Sequence, residues 1–296
     1  LPDALPISAH DHNDFELGLK HKLPIINVLN PDATMNAEAG KYQGQDRFVC
    51  QKNIIADLEA ASLIEKVEEY DKSVGGCYRC DTVVEPYVSS QWFVKMQPLA
   101  EKAIQVVESD QVKLVPGQWK KVYLNWMTNI RDWCISRQIW WGHRIPAYHC
   151  ERCSYITVAK EHPGKCKGCG SSHITQDPDV LDTWFSSWLW PLSTLGWPEK
   201  TPDLKAFYPT TFLSTAPEIL FFWVARMIMA GLYFEDQIPF SEVYLHATVC
   251  DSEGRKMSKS LGNGIDPLEV VEEYGADSLR FSVLYLAPIG QRIRFA

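Results

Sequence analysis

Residues 242–274 read EVYLHATVCDSEGRKMSKSLGNGIDPLEVVEEY. The opening nine residues are rich in valine, threonine and tyrosine, which predicts a strand. Pro267 predicts the start of a helix. Between them lie Arg255, Lys256 and Lys259, three cations in five positions, framed by Gly254, Gly262 and Gly264. Glycines allow the backbone to swing through positive φ. Lysine is a compact point charge suited to phosphate. Two lysines on a hinged loop can close on a polyphosphate as its charge redistributes, which is how electrostatics speeds phosphoryl or nucleotidyl transfer. The plainer reading is a solvated lysine loop.

Working outward, helical patterns alternate with apolar strands. Helices are expected over 46–70, 95–110, 119–134, 179–195, 216–234 and 267–274, with strands over 242–249 and within 135–150. This alternation predicts an α/β fold with insertions. The chain has 296 residues, enough for one large domain or two ordinary ones. It is 46% hydrophobic and 22% charged, with a net charge of −8, which excludes a non-specific nucleic-acid coat but not local basic patches. No run of about 18 uninterrupted apolar residues appears. The most apolar stretch, 218–234, contains Glu218 and Arg226 and reads as a buried amphipathic helix, so no membrane partner is expected. No signal peptide is evident.

Six of the nine cysteines fall in C-x-x-C pairs, which points to metal binding in a reducing compartment rather than to disulfides. Cys150, Cys153, Cys166 and Cys169 form two such knuckles separated by twelve residues. Four thiolates at this spacing predict a closed, tetrahedral, structural zinc site of the ribbon type, within an insertion spanning 147–175. Cys77 and Cys80 are a lone pair, either core cysteines or half of a second metal site. Cys50, Cys134 and Cys250 read as small buried hydrophobes. Both ends suggest a fragment, with residues 1–8 a non-native leader.

The string KMSKS at 256–260 resembles the signature loop of class I aminoacyl-tRNA synthetases. NWMTNIRDWCISRQIWWGHRIPAYHC, DPDVLDTWFSSWLWPLSTLGWP and ILFFWVARMIMAG narrow the resemblance to the valyl family, over residues 9–296. The resemblance implies the second half of a Rossmann-type catalytic domain over 89–296, preceded by the C-terminal part of an editing domain over 9–88. The loop would then span 254–264, and a following helical region would begin in 267–296. It implies an ATP- and Mg²⁺-dependent ligase that joins valine to tRNA(Val), in a cytoplasmic and monomeric parent enzyme.

Residue by residue, the resemblance places Lys256 and Lys259 on the ATP phosphates as the catalytic cations, with His246 and Ser258 also at the nucleotide. Ala247 follows His246 where the family usually has glycine. Trp184, Glu218 and Ile219 would line the amino-acid pocket; for Trp184 and Ile219 the plainer reading is core packing. Asp11, Asp14 and His10 would serve hydrolytic editing, needed because an apolar pocket separates valine from threonine by only about a hundredfold. Their alternative is a turn that caps a helix near Phe15. Arg137, Trp140 and Trp141 would shape the domain and the tRNA end.

The other class I signature, H-x-G-H, is absent from the sequence. Two rival readings remain: a non-catalytic zinc-ribbon module that binds tRNA, and an isoleucyl relative.

Overall fold

The computed structural model describes residues 10–71, 73–77, 80–259, 261–287 and 292–294. The expected leader, 1–8, lies outside them, as does Ser260 of the basic loop. The chain divides into two compact units, Leu1–Ser90 and Gln91–Ala296.

In the first unit, helix His12–His21 is capped by Asp11, whose carboxylate accepts from the backbone N–H groups of Asn13 and Asp14. Helix Arg47–Ala60 is capped in the same way by Asp46. A small core of Leu29, Met35 and Cys50 holds the unit together. The helix expected to reach residue 70 ends at Ala60. Ser62 turns left-handed at φ 55°, and Leu63 N–H returns to Leu58 O at 2.9 Å. That geometry closes the helix and satisfies carbonyls it would otherwise leave open.

The second unit is built on a three-stranded parallel sheet. Phe240–Leu245 is central, flanked by Lys113–Val115 on one side and Thr210–Thr215 on the other. Thr210–Thr215, helix Arg226–Phe234 and Phe240–Leu245 form a β–α–β unit, the usual way to join parallel neighbours. Helix Gln97–Glu108 buries Ala100, Ala103, Val106 and Val107 in the same core as Met227, Ile228, Met229 and Ala230. Small residues on the first helix leave room for the larger ones of the second. Strand Phe240–Leu245 contributes Val243 and Leu245, alternate residues of one face, to that core, together with Phe240 at its start.

Several expected elements are redrawn. The helix expected over 119–134 runs Gln118–Thr128. Thr128 and Asn129 side chains bond back to the carbonyls of Leu124 and Asn125, and Trp133–Cys134 instead pairs with Phe93–Val94. The single helix expected over 216–234 is three pieces: a 3₁₀ turn Pro217–Ile219, a π-helical turn Leu220–Ala225 and the α-helix Arg226–Phe234. Pro191 divides the segment expected over 179–195 into Thr183–Ser187 and Trp190–Ser193. The strand expected over 242–249 breaks at His246 and Ala247 into Phe240–Leu245 and Thr248–Cys250.

The cysteine module stands on a neck formed by Ser136–Arg137 paired with Val180–Leu181. Its sheet is antiparallel, with Ala147–Cys150 between Ile156–Val158 and Ile174–Gln176. Pro146 lies just before Ala147–Cys150, where it removes no ladder donor.

Candidate functional site

In open parallel sheets ligands gather beyond the carboxyl ends of the strands. Here Thr210–Thr215 runs into Ala216-Pro217-Glu218, and Phe240–Leu245 runs into His246-Ala247-Thr248. His246 N–H donates to Thr215 O at 3.1 Å, which ties the two exits together. Thr248 Oγ1 donates to Glu218 Oε1 at 3.1 Å, and Lys256 Nζ lies 3.4 Å from the same oxygen. Burial pushes the Glu218 carboxyl up, but its own backbone N–H, the Thr248 hydroxyl and Lys256 outweigh it and hold the group below its ordinary value. Glu218 is therefore an anion at neutral pH, facing the basic loop.

The loop is braced by two residues that reading from sequence did not single out. Asp251 Oδ1 accepts from the Glu253 and Arg255 backbone N–H groups at 3.0 and 2.8 Å. Its Oδ2 accepts from Arg255 Nε and Asn263 Nδ2, both at 2.9 Å. The Asn263 bond leads, with the Arg255 amide and guanidinium adding to it against burial, in pushing the Asp251 pKa down to about 2. Asn263 Oδ1 in turn accepts from Ser258 N–H at 2.9 Å, and Leu261 N–H donates to Ser258 Oγ at 3.3 Å. Ser258 thus shapes the turn. Gly254 and Gly262 take φ of 80° and 61°, left-handed values that admit few other residues. Lys259 is exposed on the far limb and makes no ion pair among the described residues. His246 is exposed, with Nδ1 2.9 Å from Ala247 O.

Trp184 and Glu218, which the family resemblance puts in one pocket, look onto different surroundings. Trp184 lines a cleft of about 540 Å³ together with Trp133, Phe221, Phe222, Arg137, Asp182 and Arg226. Its ring stacks on Phe222 at 6.0 Å between centroids. Ile219 is half-buried between Glu218 and the π-helical turn. At the cleft, Asp182 is a hub. Oδ1 caps the Trp184 backbone N–H at 2.9 Å, while Oδ2 accepts from Trp133 Nε1 at 3.2 Å and from Arg137 Nη2. Arg226 lies flat on Trp133, its guanidinium carbon 3.5 Å from the ring centroid. It is 6% exposed, and its Nε and Nη1 are buried without a hydrogen-bond partner among the described residues. Burial pushes its pKa down to about 10, with Asp182 opposing and Arg137 reinforcing the shift. An unpaired buried donor costs about 1–3 kcal/mol, which the stack on Trp133 offsets only in part.

In the ribbon, the sulfurs of Cys150 and Cys169 are 3.6 Å apart, as are those of Cys153 and Cys166. All four lie within 4.8 Å of one another. A tetrahedron with zinc–sulfur bonds of about 2.3 Å has edges of about 3.8 Å, so the set fits zinc and is too open for disulfides. Gly168 N–H donates to Cys166 Sγ at 3.3 Å, the contact that supports a thiolate. Burial would raise the Cys150 thiol, but the N–H groups of Cys153 and Arg152 and the Cys166 and Cys169 thiols bring it down to about 6. Gly168 packs so closely on Tyr155 that a Cβ there would lie 2.9 Å from the ring.

In the first unit, His10 Nε2 accepts from Val28 N–H at 3.1 Å, so the proton sits on Nδ1 and is donated to Pro86 O at 2.8 Å. Both ring nitrogens are held by backbone. Asp11 Oδ1 is committed to its helix cap. The Asp14 carboxylate accepts no hydrogen bond among the described residues and is half-buried. Cys77 and Cys80 sit in a turn where Cys80 Sγ is 3.2 Å from Thr82 Oγ1. Among the described residues they join no larger group of potential ligands.

Residues 28–296 match the family described as tRNA synthetases class I (I, L, M and V). A valine–tRNA ligase of Petrotoga mobilis is 59% identical over 286 residues, covering 97% of this chain and 33% of that protein. Those of Geobacter sulfurreducens and Thermotoga maritima are 55% and 56% identical over 97% of this chain, covering 32% and 33% of their own lengths. The chain spans about a third of the length of the curated relatives it matches. Among solved structures, a methionyl-tRNA synthetase of Mycobacterium tuberculosis in complex with methionyl-adenylate aligns with a TM-score of 0.55 at 20% identity. That alignment covers 75% of this chain and 38% of that one, a likeness of fold.

Proposed function

The chain belongs to the class I tRNA synthetases of the isoleucine, leucine, methionine and valine group, and we propose from this that it is the KMSKS-bearing part of a valine–tRNA ligase. The observation that carries the reading is identity of 54–59% with valine–tRNA ligases over 97% of the chain. In the proposed reaction the valine carboxylate attacks the α-phosphorus of ATP. Pyrophosphate leaves, and valyl-adenylate forms. A hydroxyl at the tRNA(Val) 3′ end then attacks the acyl carbonyl, and AMP leaves.

Lys256 and Lys259 would follow the negative charge that develops on the departing pyrophosphate. Lys256 starts from an exposed pair with Glu218, a weak contact that a polyphosphate can outcompete. Asp251 and Asn263 hold the base of the loop while its tip carries the lysines. His246 stands at the strand exit where the nucleoside would lie. Trp184 offers an aromatic wall, and Ile219 a branched one, for the isopropyl group. Mg²⁺ bound with the nucleotide would neutralise phosphate charge. Zinc would be held by Cys150, Cys153, Cys166 and Cys169 and would fix the ribbon. In the first unit, Asp14 is the carboxylate best placed to grip the ammonium of a mischarged threonyl ester.

The test uses the full-length parent. Valine-dependent exchange of pyrophosphate into ATP, and charging of tRNA(Val), are expected. A parent that activates isoleucine in preference to valine overturns the reading.

A further inference from the structure

Among the described residues Arg226 has no hydrogen-bond partner for Nε or Nη1 although it is only 6% exposed, and it follows directly on a π-helical turn, Leu220–Ala225. Such turns shift side chains out of the 3.6-residue phase and recur at functional sites. Two routes connect Arg226 to Trp184. In one, the guanidinium lies 5.5 Å from the Phe222 ring, and Phe222 stacks on Trp184. In the other, it lies on Trp133, Trp133 donates to Asp182, and Asp182 caps the Trp184 backbone. The guanidinium also attracts the Asp182 carboxylate, which pairs with Arg137.

We propose that Arg226 is a positioning residue: a buried cation that clamps Trp184 from both sides, through Phe222 at its ring and through Trp133 and Asp182 at its backbone, and so sets the width of the amino-acid pocket. The second half of this statement rests on the reading of Trp184 as a wall of that pocket. The clamp gives an arginine a role where a leucine would pack. An aliphatic residue could fill the space, but it would neither stack on Trp133 by charge nor pull on Asp182.

The test uses this chain labelled with 5-fluorotryptophan, its ¹⁹F resonances assigned by single replacements such as Trp184→Phe. Arg226→Met is expected to shift the Trp184 resonance. Arg226→Lys should restore it in part. Trp197, whose Nε1 donates to Glu235 at 2.6 Å, reports overall folding and should stay in place. A shift confined to Trp133, or equal effects of methionine and lysine on Trp184, overturns the clamp. If Arg226→Met also displaces Trp197, Asp182→Asn decides: it keeps a capping oxygen but removes the charge, and must itself shift Trp184. In the full-length parent, Arg226→Met should raise the KM for valine by about 10-fold with the KM for ATP unchanged, the low end of what a small misfit costs in an apolar pocket. A shifted Trp184 with an unchanged valine KM leaves the clamp standing and removes Trp184 from the substrate pocket.

Discussion

Lys256 of the basic loop and Glu218 of the strand exit form an ion pair, with Nζ 3.4 Å from Oε1. The pair is largely open to solvent, with side-chain exposures of 62% and 39%. It bridges two segments that converge only because their strands are parallel neighbours. On the proposed function, that weakness would let the loop release the lysine to phosphate. Glu218→Gln should change stability by less than about 1 kcal/mol, read as a shift in the urea midpoint. Lys259→Ala in the full-length parent should instead lower the rate of adenylate formation by about 10²–10³-fold, the loss typical of one transition-state donor. An unchanged rate removes Lys259 from the phosphate site.

The 296-residue chain by itself should not drive valine-dependent exchange of pyrophosphate into ATP. Its sequence contains the KMSKS loop but no H-x-G-H, so half of the expected phosphate contacts are lacking. Robust exchange by the purified chain would show that the lysine loop alone suffices.

The ribbon should carry one zinc ion per chain, measurable by metal analysis of protein purified without added metal. Cys166→Ser should abolish it and unfold the module, because bound zinc contributes to folding outright. The separate core of Ala100, Val107, Ile228 and Met229 should survive that change. Clean protein without metal would contradict the assignment.

What could be read from the sequence was what is local. Two C-x-x-C knuckles define their sulfur cluster within twenty residues, and the strand, the glycine hinges and Pro267 announce the loop without tertiary knowledge. What escaped was tertiary. Asn263 was not singled out, because its partner Asp251 is twelve positions away and only the folded loop brings them to 2.9 Å. Asp182 drew no notice in the sequence; Arg137 and Trp133, 45 and 49 residues earlier, make it a hub. The stretch 216–234 read as one helix because a 3.6-residue period averages over the π-helical turn that aims Phe221, Phe222 and Arg226 at the cleft. For His10, which the resemblance gives a part in editing, no sequence pattern shows that both ring nitrogens meet backbone groups of Val28 and Pro86.

Gly231 marks a close approach on the buried helix. A Cβ there would lie 2.8 Å from Gln237 O and 2.6 Å from Tyr208 Oη. The tyrosine end can move, but the backbone carbonyl cannot without shifting the turn into Phe240–Leu245. Gly231→Ala should therefore destabilise the second unit by about 1–3 kcal/mol, despite the better helix propensity of alanine. Urea denaturation measures it; a stabilised variant would show that the turn is free to adjust.

Asp251 predicts how the loop responds to acid. Its pKa is pushed down from 3.8 to about 2, so the carboxylate binds Asn263 and Arg255 more tightly than its protonated form does. Such a group contributes stability in full above its unfolded value, and the contribution fades as pH falls from about 4 through 2. The loop base should thus be intact at neutral pH and open below about pH 2, followed by the Asn263 side-chain amide resonances, which shift when their acceptor is protonated. Asp251→Asn should abolish that transition and loosen the loop at every pH. In the full-length parent the same variant should lower the adenylation rate, since Lys256 and Lys259 would then ride on an unbraced base. Wild-type resonances that titrate unchanged in Asp251→Asn would assign the transition to another group.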